Sequence, residues 1–204
     1  MVLIFTREEG KLSAGTHLSE KSKGGGLALR PFAHGHYVIS EKRAGLRSIS
    51  KADTVDAHFA LGEDADRFAE ASFALEFTDR LLPDGVSEPR IFDLLKDCLG
   101  MLGRRKAGFR LLTTSYMVKV MQTLGIFPDT ASPDFGLLLS EVNGDILDVA
   151  LYIAEQPLER MEKLALDSEK EKAAFEAVKA FAHKHLELGA LKSERLLAAG
   201  VNYS

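Results

Sequence analysis

Lys11, Lys21, Lys23, Arg30, Lys42, Arg43 and Arg47 are spaced through the first 47 residues in a pattern that suits a polyanion. Lys21 and Lys23 flank Ser22 and run into three consecutive glycines, which puts charge on a connection with few steric restrictions. Lys42, Arg43, Arg47 and Lys51 are interleaved with Leu46 and Ile49 near the ends of strand-like runs. Neutralising phosphates and stacking bases is the chemistry such a set performs, with Phe32 and Tyr37 readable either as stacking platforms or as core. The competing reading of the lysine-and-glycine stretch is a solvated connection. A phosphate-cradling enzyme loop does not fit: the GxxxxGK[ST] order is missing and the glycines do not open a helical pattern.

No arrangement for bond chemistry accompanies these cations. The chain has no GxSxG, no HExxH and no pair of carboxylates singled out by context. His183 and His185 are two apart on a helical stretch, roughly 200° around it, and cannot share a metal. His34 and His36 can face one way on a strand, but no third ligand is apparent. Cys98 is the only cysteine, which excludes a disulfide within the chain and a multi-cysteine zinc site and reads as a core position. The expectation is a non-enzymatic protein without metal or cofactor.

Composition divides the chain. The net charge of −4 argues against a generic nucleic-acid coat, but residues 1–60 hold nine Lys+Arg against six Asp+Glu, whereas the remainder holds 17 against 24. A basic first third and an acidic remainder point to two regions with different partners. With 46% hydrophobic residues a real core is expected, and no run approaches the length of a membrane span. The start does not read as a leader peptide, so a cytoplasmic location is expected.

The elements that must position the cations follow from periodicity. Short apolar runs separated by turn residues predict five strands, at residues 2–6, 11–18, 27–32, 36–40 and 46–49, forming a small barrel or curled sheet. Near residue 53 the period becomes helical. Helices are predicted at residues 66–82, 91–102, 109–124, 146–154, 158–166 and 168–188, with a less regular stretch at 130–143 containing a hairpin across Asn143 and Gly144. The apolar run at 109–124 is expected at the centre of the helical core, ended by Gly125. The fold class is therefore α+β, with residues 1–55 as an OB-fold-like domain and residues 56–204 as a helical domain.

Five separated stretches occur in an order that resembles the bacterial RecO family of DNA-repair and recombination mediators. They are FTREEGKLSA, LRPF, FALEFTDRLLPDGVSEPRIFDLLKDCL at 73–99, LGIFPD at 124–129 and LKSERLL at 191–197. The resemblance implies an N-terminal OB-fold, a helical domain and a role without bond chemistry. It further implies binding of single- and double-stranded DNA, annealing of complementary strands, and work with RecR and single-stranded-DNA-binding protein in recombinase loading. Three departures stand out. Relatives carry a strand ahead of the one holding FTREEGK, so the barrel is expected to be incomplete, with an unpaired edge. Residues 130–156 lack the four zinc-finger cysteines of many relatives, so zinc is not expected. Where relatives place arginines ahead of the LGxxP turn this chain has Thr114 and Ser115, leaving Arg110 and Lys119 as the nearest cations for docking the tail of single-stranded-DNA-binding protein. The alternative is a protein-interaction adaptor whose helical domain docks partners without DNA.

Overall fold

The computed structural model describes residues 1–16, 18, 25–41, 45–131, 135 and 144–200. Strand β1 (Val2–Thr6) and strand β2 (Gly10–Thr16) form an antiparallel hairpin, in register from Val2↔Ala14 to Thr6↔Gly10. Thr6 closes its turn: its Oγ1 accepts from the Glu9 amide at 3.1 Å and donates to the Gly10 carbonyl at 3.0 Å. Gly10 has φ +70°, and a Cβ there would lie 2.0 Å from the Val86 carbonyl oxygen. The hairpin can pack this tightly against the 84–87 segment only because that side chain is missing.

Residues 27–32, expected as a strand, are instead a short helix, α1 (Gly25–Ala28), and turns in which Arg30 and Ala33 donate to the carbonyls of Leu27 and Arg30. Leu27, Ala28 and Leu29 are apolar but not β-branched, so they favour helix over strand, and Pro31 stops the helix. The sheet therefore has four described strands rather than five. Strand β3 (His34–Glu41) pairs antiparallel with β4 (Arg47–Asp56), and β4 pairs parallel with β2 through Gly15↔Ser48 and Thr16↔Ile49. The order is β1-β2-β4-β3. β4 is ten residues long against the four expected, because polar residues at 50, 51 and 53 face solvent along a strand still favoured by Thr54 and Val55. Leu12, Ala14, Ala28, Ile49 and Ala52 form the buried cluster of this α+β chain's partial OB-like sheet.

The helices follow in sequence: α2 (Phe59–Glu63), α3 (Ala65–Leu81), α4 (Pro89–Arg104), α5 (Phe109–Thr123), α6 (Gly144–Glu155), a 3-10 turn (Leu158–Glu162), α7 (Ser168–Leu186) and α8 (Glu194–Gly200). Helix α5 is buried on nearly every side and packs against α3, α4, α6 and α7. Its buried Thr114 and Ser115 hydroxyls donate to the carbonyls of Arg110 and Leu111 at 2.7 and 2.8 Å, which removes the cost of burying them. Gly125, at φ +70°, ends α5 with its amide on the Gln122 carbonyl and the Ile126 amide on that of Met121.

Three helical expectations are revised. Residues 158–166 form only the 3-10 turn, because the Arg105 guanidinium takes the carbonyls of Met161 and Leu164. Helix α7 ends at Leu186, before Gly189, with Glu187 in the left-handed region. Helix α8 was not expected; Glu76 anchors its approach by accepting from the amides of Lys192 and Ser193 at 3.0 and 2.7 Å. The expected hairpin across Asn143 and Gly144 falls largely outside the described residues, and Gly144 opens α6.

Candidate nucleic-acid interface

The sheet register sets the described ends of β2 and β3 near the start of β4. Strand β2 ends at Thr16, opposite Ile49 near the start of β4, while β3 ends at Glu41, opposite Arg47. Arg47 stands where β3 and β4 meet, opposite Glu41. Lys21, Lys23, Lys42 and Arg43 themselves lie outside the described residues.

The described cations are mostly engaged. Lys11 Nζ sits 2.9 Å from Asp79 Oδ1 and 3.2 Å from Asp84 Oδ1, and donates to the Asp79 carbonyl at 2.8 Å. Burial pulls its ammonium pKa down, but hydrogen bonds and charge from Asp79 and Asp84 outweigh burial and raise it. Lys11 is a brace between sheet and helix, with a side chain only 15% exposed. Arg47 leans on Glu9 at 3.6 Å, and Lys51 on Asp53 at 2.7 Å. Arg30 is exposed, 6.0 Å from the Phe59 ring, with no acidic partner among the described residues.

Both stacking candidates are packing residues. Phe32 meets Phe68 edge-on at 5.4 Å, against the helical core. The Tyr37 hydroxyl donates to the Ala28 carbonyl at 2.6 Å while its ring packs on the sheet cluster.

The two partner-docking candidates point inward. Arg110 Nε donates to the buried Glu70 carboxylate and its guanidinium lies 4.6 Å from the centre of the Phe175 ring. Lys119 donates to the Ala154 carbonyl at 2.7 Å and to Gln122 Oε1 at 3.0 Å, capping the end of α6, and burial lowers its pKa against the pull of Glu159.

Sequence reasoning missed a cleft between β1 and β3, a cavity of about 720 Å³ lined by both strands and by α4. Arg7 and Lys96 stand at it, sharing Asp93: Arg7 Nε and a terminal nitrogen donate to its two oxygens at 3.3 and 3.1 Å, and Lys96 lies 3.7 Å away. His34 and His58 also line it, both lowered in pKa first by burial, His34 further by the charges of His58 and Lys96. No local sequence signal marks these residues, because the partners lie far apart in the chain. Among the described residues no group of three or more His, Cys, Asp or Glu suits a metal ion, and no helix is long and apolar enough to cross a membrane.

A partial OB-like sheet of four strands followed by a set of helices defines the class as α+β. Comparison with known proteins gives the family. The family models "Recombination protein O N terminal" and "Recombination protein O C terminal" match residues 1–58 and 62–132. The DNA repair protein RecO of Alkaliphilus metalliredigens is 22% identical over 92% of this chain and 87% of its own length. Those of Bacillus cereus (strain B4264) and Geobacter sulfurreducens are 30% and 39% identical, over 63% and 47% of this chain and 51% and 39% of their own lengths. Apart from the Alkaliphilus protein, the matches span about half the length of most of these relatives. The chain belongs to the Recombination protein O family, a family of DNA repair and recombination proteins.

Proposed function

We propose that this chain binds single-stranded DNA through the cationic end of its partial OB-like sheet and promotes annealing of complementary strands, without catalysing bond chemistry. In this reading it acts in the cytoplasm with a RecR-like protein and single-stranded-DNA-binding protein to load a recombinase. What supports it is the match to the Recombination protein O family together with the cations Lys21, Lys23, Lys42, Arg43 and Arg47 in the sequence of the first 47 residues. Several cations on one end of a sheet neutralise phosphates on two strands at once, release counterions and lower the repulsion between the strands. Arg30, with no acidic partner among the described residues, adds a charge on the same domain, whereas Lys11 serves as a brace.

The pairing of Lys11, Arg47 and Lys51 with acids favours one second reading, an adaptor whose helical domain docks proteins without DNA. Fluorescence anisotropy with labelled oligothymidylate at 50 and 200 mM salt separates the two. DNA binding through about five phosphates predicts affinity falling by two or more powers of ten between those salts. Lys21→Glu with Lys23→Glu should weaken it at least tenfold at the lower salt. A flat salt response, together with capture of a RecR-like protein by the same preparation, overturns the DNA reading in favour of the adaptor.

A further inference from the structure

Phe32 and Tyr37 are taken up by packing, and the aromatic most open to solvent among the described residues is Phe59. It opens α2 and is 53% exposed, whereas Leu61, two positions on, is buried in the helical core and α2 itself packs on α3 and α4. Single exposed apolar side chains are common and need no explanation by themselves. A cation sets Phe59 apart. The Arg30 guanidinium carbon lies over its ring, 6.0 Å from the centre, within cation–π range. Arg30 is itself exposed, with no acidic partner among the described residues. Asp56, the acid nearest to Phe59 in sequence, is engaged with His58, accepting from its amide at 2.8 Å and lying 3.4 Å from its Nδ1.

The backbone is bent beside both members of the pair. His58, immediately before Phe59, has φ +44°, and Phe32, two residues after Arg30, has φ +68°; Glu187 is the other non-glycine residue with positive φ among the described residues. Left-handed backbone is unfavourable for side chains of this size and persists where surrounding contacts impose it, often at ligand clamps. Asp56 holds His58, and Phe68 meets Phe32 edge-on at 5.4 Å. Two fixed turns thus carry Arg30 and Phe59. An aromatic face beside a planar guanidinium, both open to water, is an arrangement on which an unpaired base stacks. Bases paired within a duplex are stacked on one another and cannot reach it.

We propose that Phe59 and Arg30 form a stacking site for one unpaired base, through which the chain prefers single-stranded to double-stranded DNA. The proposal rests on the reading above that the chain binds single-stranded DNA, and it adds to the phosphate-neutralising cations an element that takes hold of a base. Its place lengthens the binding path. Arg47 begins β4, Phe59 lies three residues beyond the end of that strand at Asp56, and ten residues of strand span about 30 Å. A single strand held at both places runs the length of β4, and phosphate contacts at one end leave the base contact at the other to discriminate between the two forms of DNA.

The chain has no tryptophan, so Phe59→Trp puts a single reporter at the site. Oligothymidylate should quench its fluorescence, and an abasic oligomer of the same length and charge should not. By anisotropy, Phe59→Ala and Phe59→Leu should each weaken oligothymidylate about tenfold, the worth of one stacked base, and change the abasic oligomer and a duplex by less than about twofold. Far-ultraviolet dichroism should be the same for all three variants, the ring being half exposed. Leucine keeps the apolar bulk without the ring, so wild-type affinity in Phe59→Leu beside a loss in Phe59→Ala would make the residue a packing contact and overturn the proposal. An equal loss on the abasic oligomer, or quenching by that oligomer, would overturn it too. Wild type that binds oligothymidylate, with all Phe59 variants unchanged, overturns the stacking site alone; wild type that binds neither oligomer overturns the DNA reading with it.

Discussion

Arg110 is an instance of how little a charge in a sequence says about its use. Its acid, Glu70, stands 40 positions away on α3, 3% exposed, and Arg110 also covers the Phe175 ring. Burial raises the Glu70 pKa, with Arg110 opposing, and Glu171 nearby is raised by burial with Arg105 opposing. A carboxyl whose folded pKa is raised binds protons more tightly in the fold, so its contribution is fully present below the ordinary glutamate value. It is lost as pH climbs from there to the folded value. Arg110→Met strips the buried carboxylate of its cation and should cost about 3–5 kcal/mol at pH 8. At pH 5 the loss should be smaller, since Glu70 can then fold protonated. Thermal unfolding of both proteins at the two pH values checks this; an equal loss at both would remove Glu70 as the cause.

At the scale of elements, the hairpin of β1 and β2 and the helices α3, α4, α5 and α7 are legible from alternation and from the i, i+3, i+4 rhythm, because burial on one face dictates both patterns. Where that pattern is ambiguous the reading failed. The apolar run at 27–32 suited either period, and the lack of β-branched residues decided for α1. The 3-10 turn was hidden because Arg105, more than fifty residues earlier, decides it. The hairpin turn offers a sharper test. Gly10→Ala meets both a left-handed backbone and the Val86 carbonyl 2.0 Å away, whereas Gly85→Ala, at φ +73°, has open space around it. The second should cost only about 1–2 kcal/mol for the backbone conformation, and the first clearly more. Urea denaturation of the two variants, compared at one temperature, is expected to show that order, and equal midpoints would mean that the hairpin does not need its contact with residue 86.

On the scale of the molecule, sheet and helices are joined by a small number of cross-links that no periodicity announces. Phe5 meets Phe92, Phe32 meets Phe68, Arg7 meets Asp93, and Lys11 reaches Asp79 and Asp84. The sequence marked Lys11 as a phosphate contact because it could show the charge but not the two aspartates some seventy positions away. Its geometry makes a separable prediction. The cationic end of the sheet does not depend on Lys11 if that residue braces the hairpin, so Lys11→Met should leave oligothymidylate affinity within twofold. Hydrogen bonds to charged groups contribute about 1.5–3 kcal/mol, and a loss of that size in urea denaturation is expected, since Asp79 and Asp84 are solvated enough to stand alone. The raised lysine pKa gives the sign of the pH dependence. The brace is fully present below the ordinary lysine value and is lost as pH rises through the folded one. The stability gap between wild type and Lys11→Met should therefore hold from pH 6 to 9 and close above that ordinary value. A variant that kept its stability but lost its DNA would return Lys11 to the phosphate-binding set.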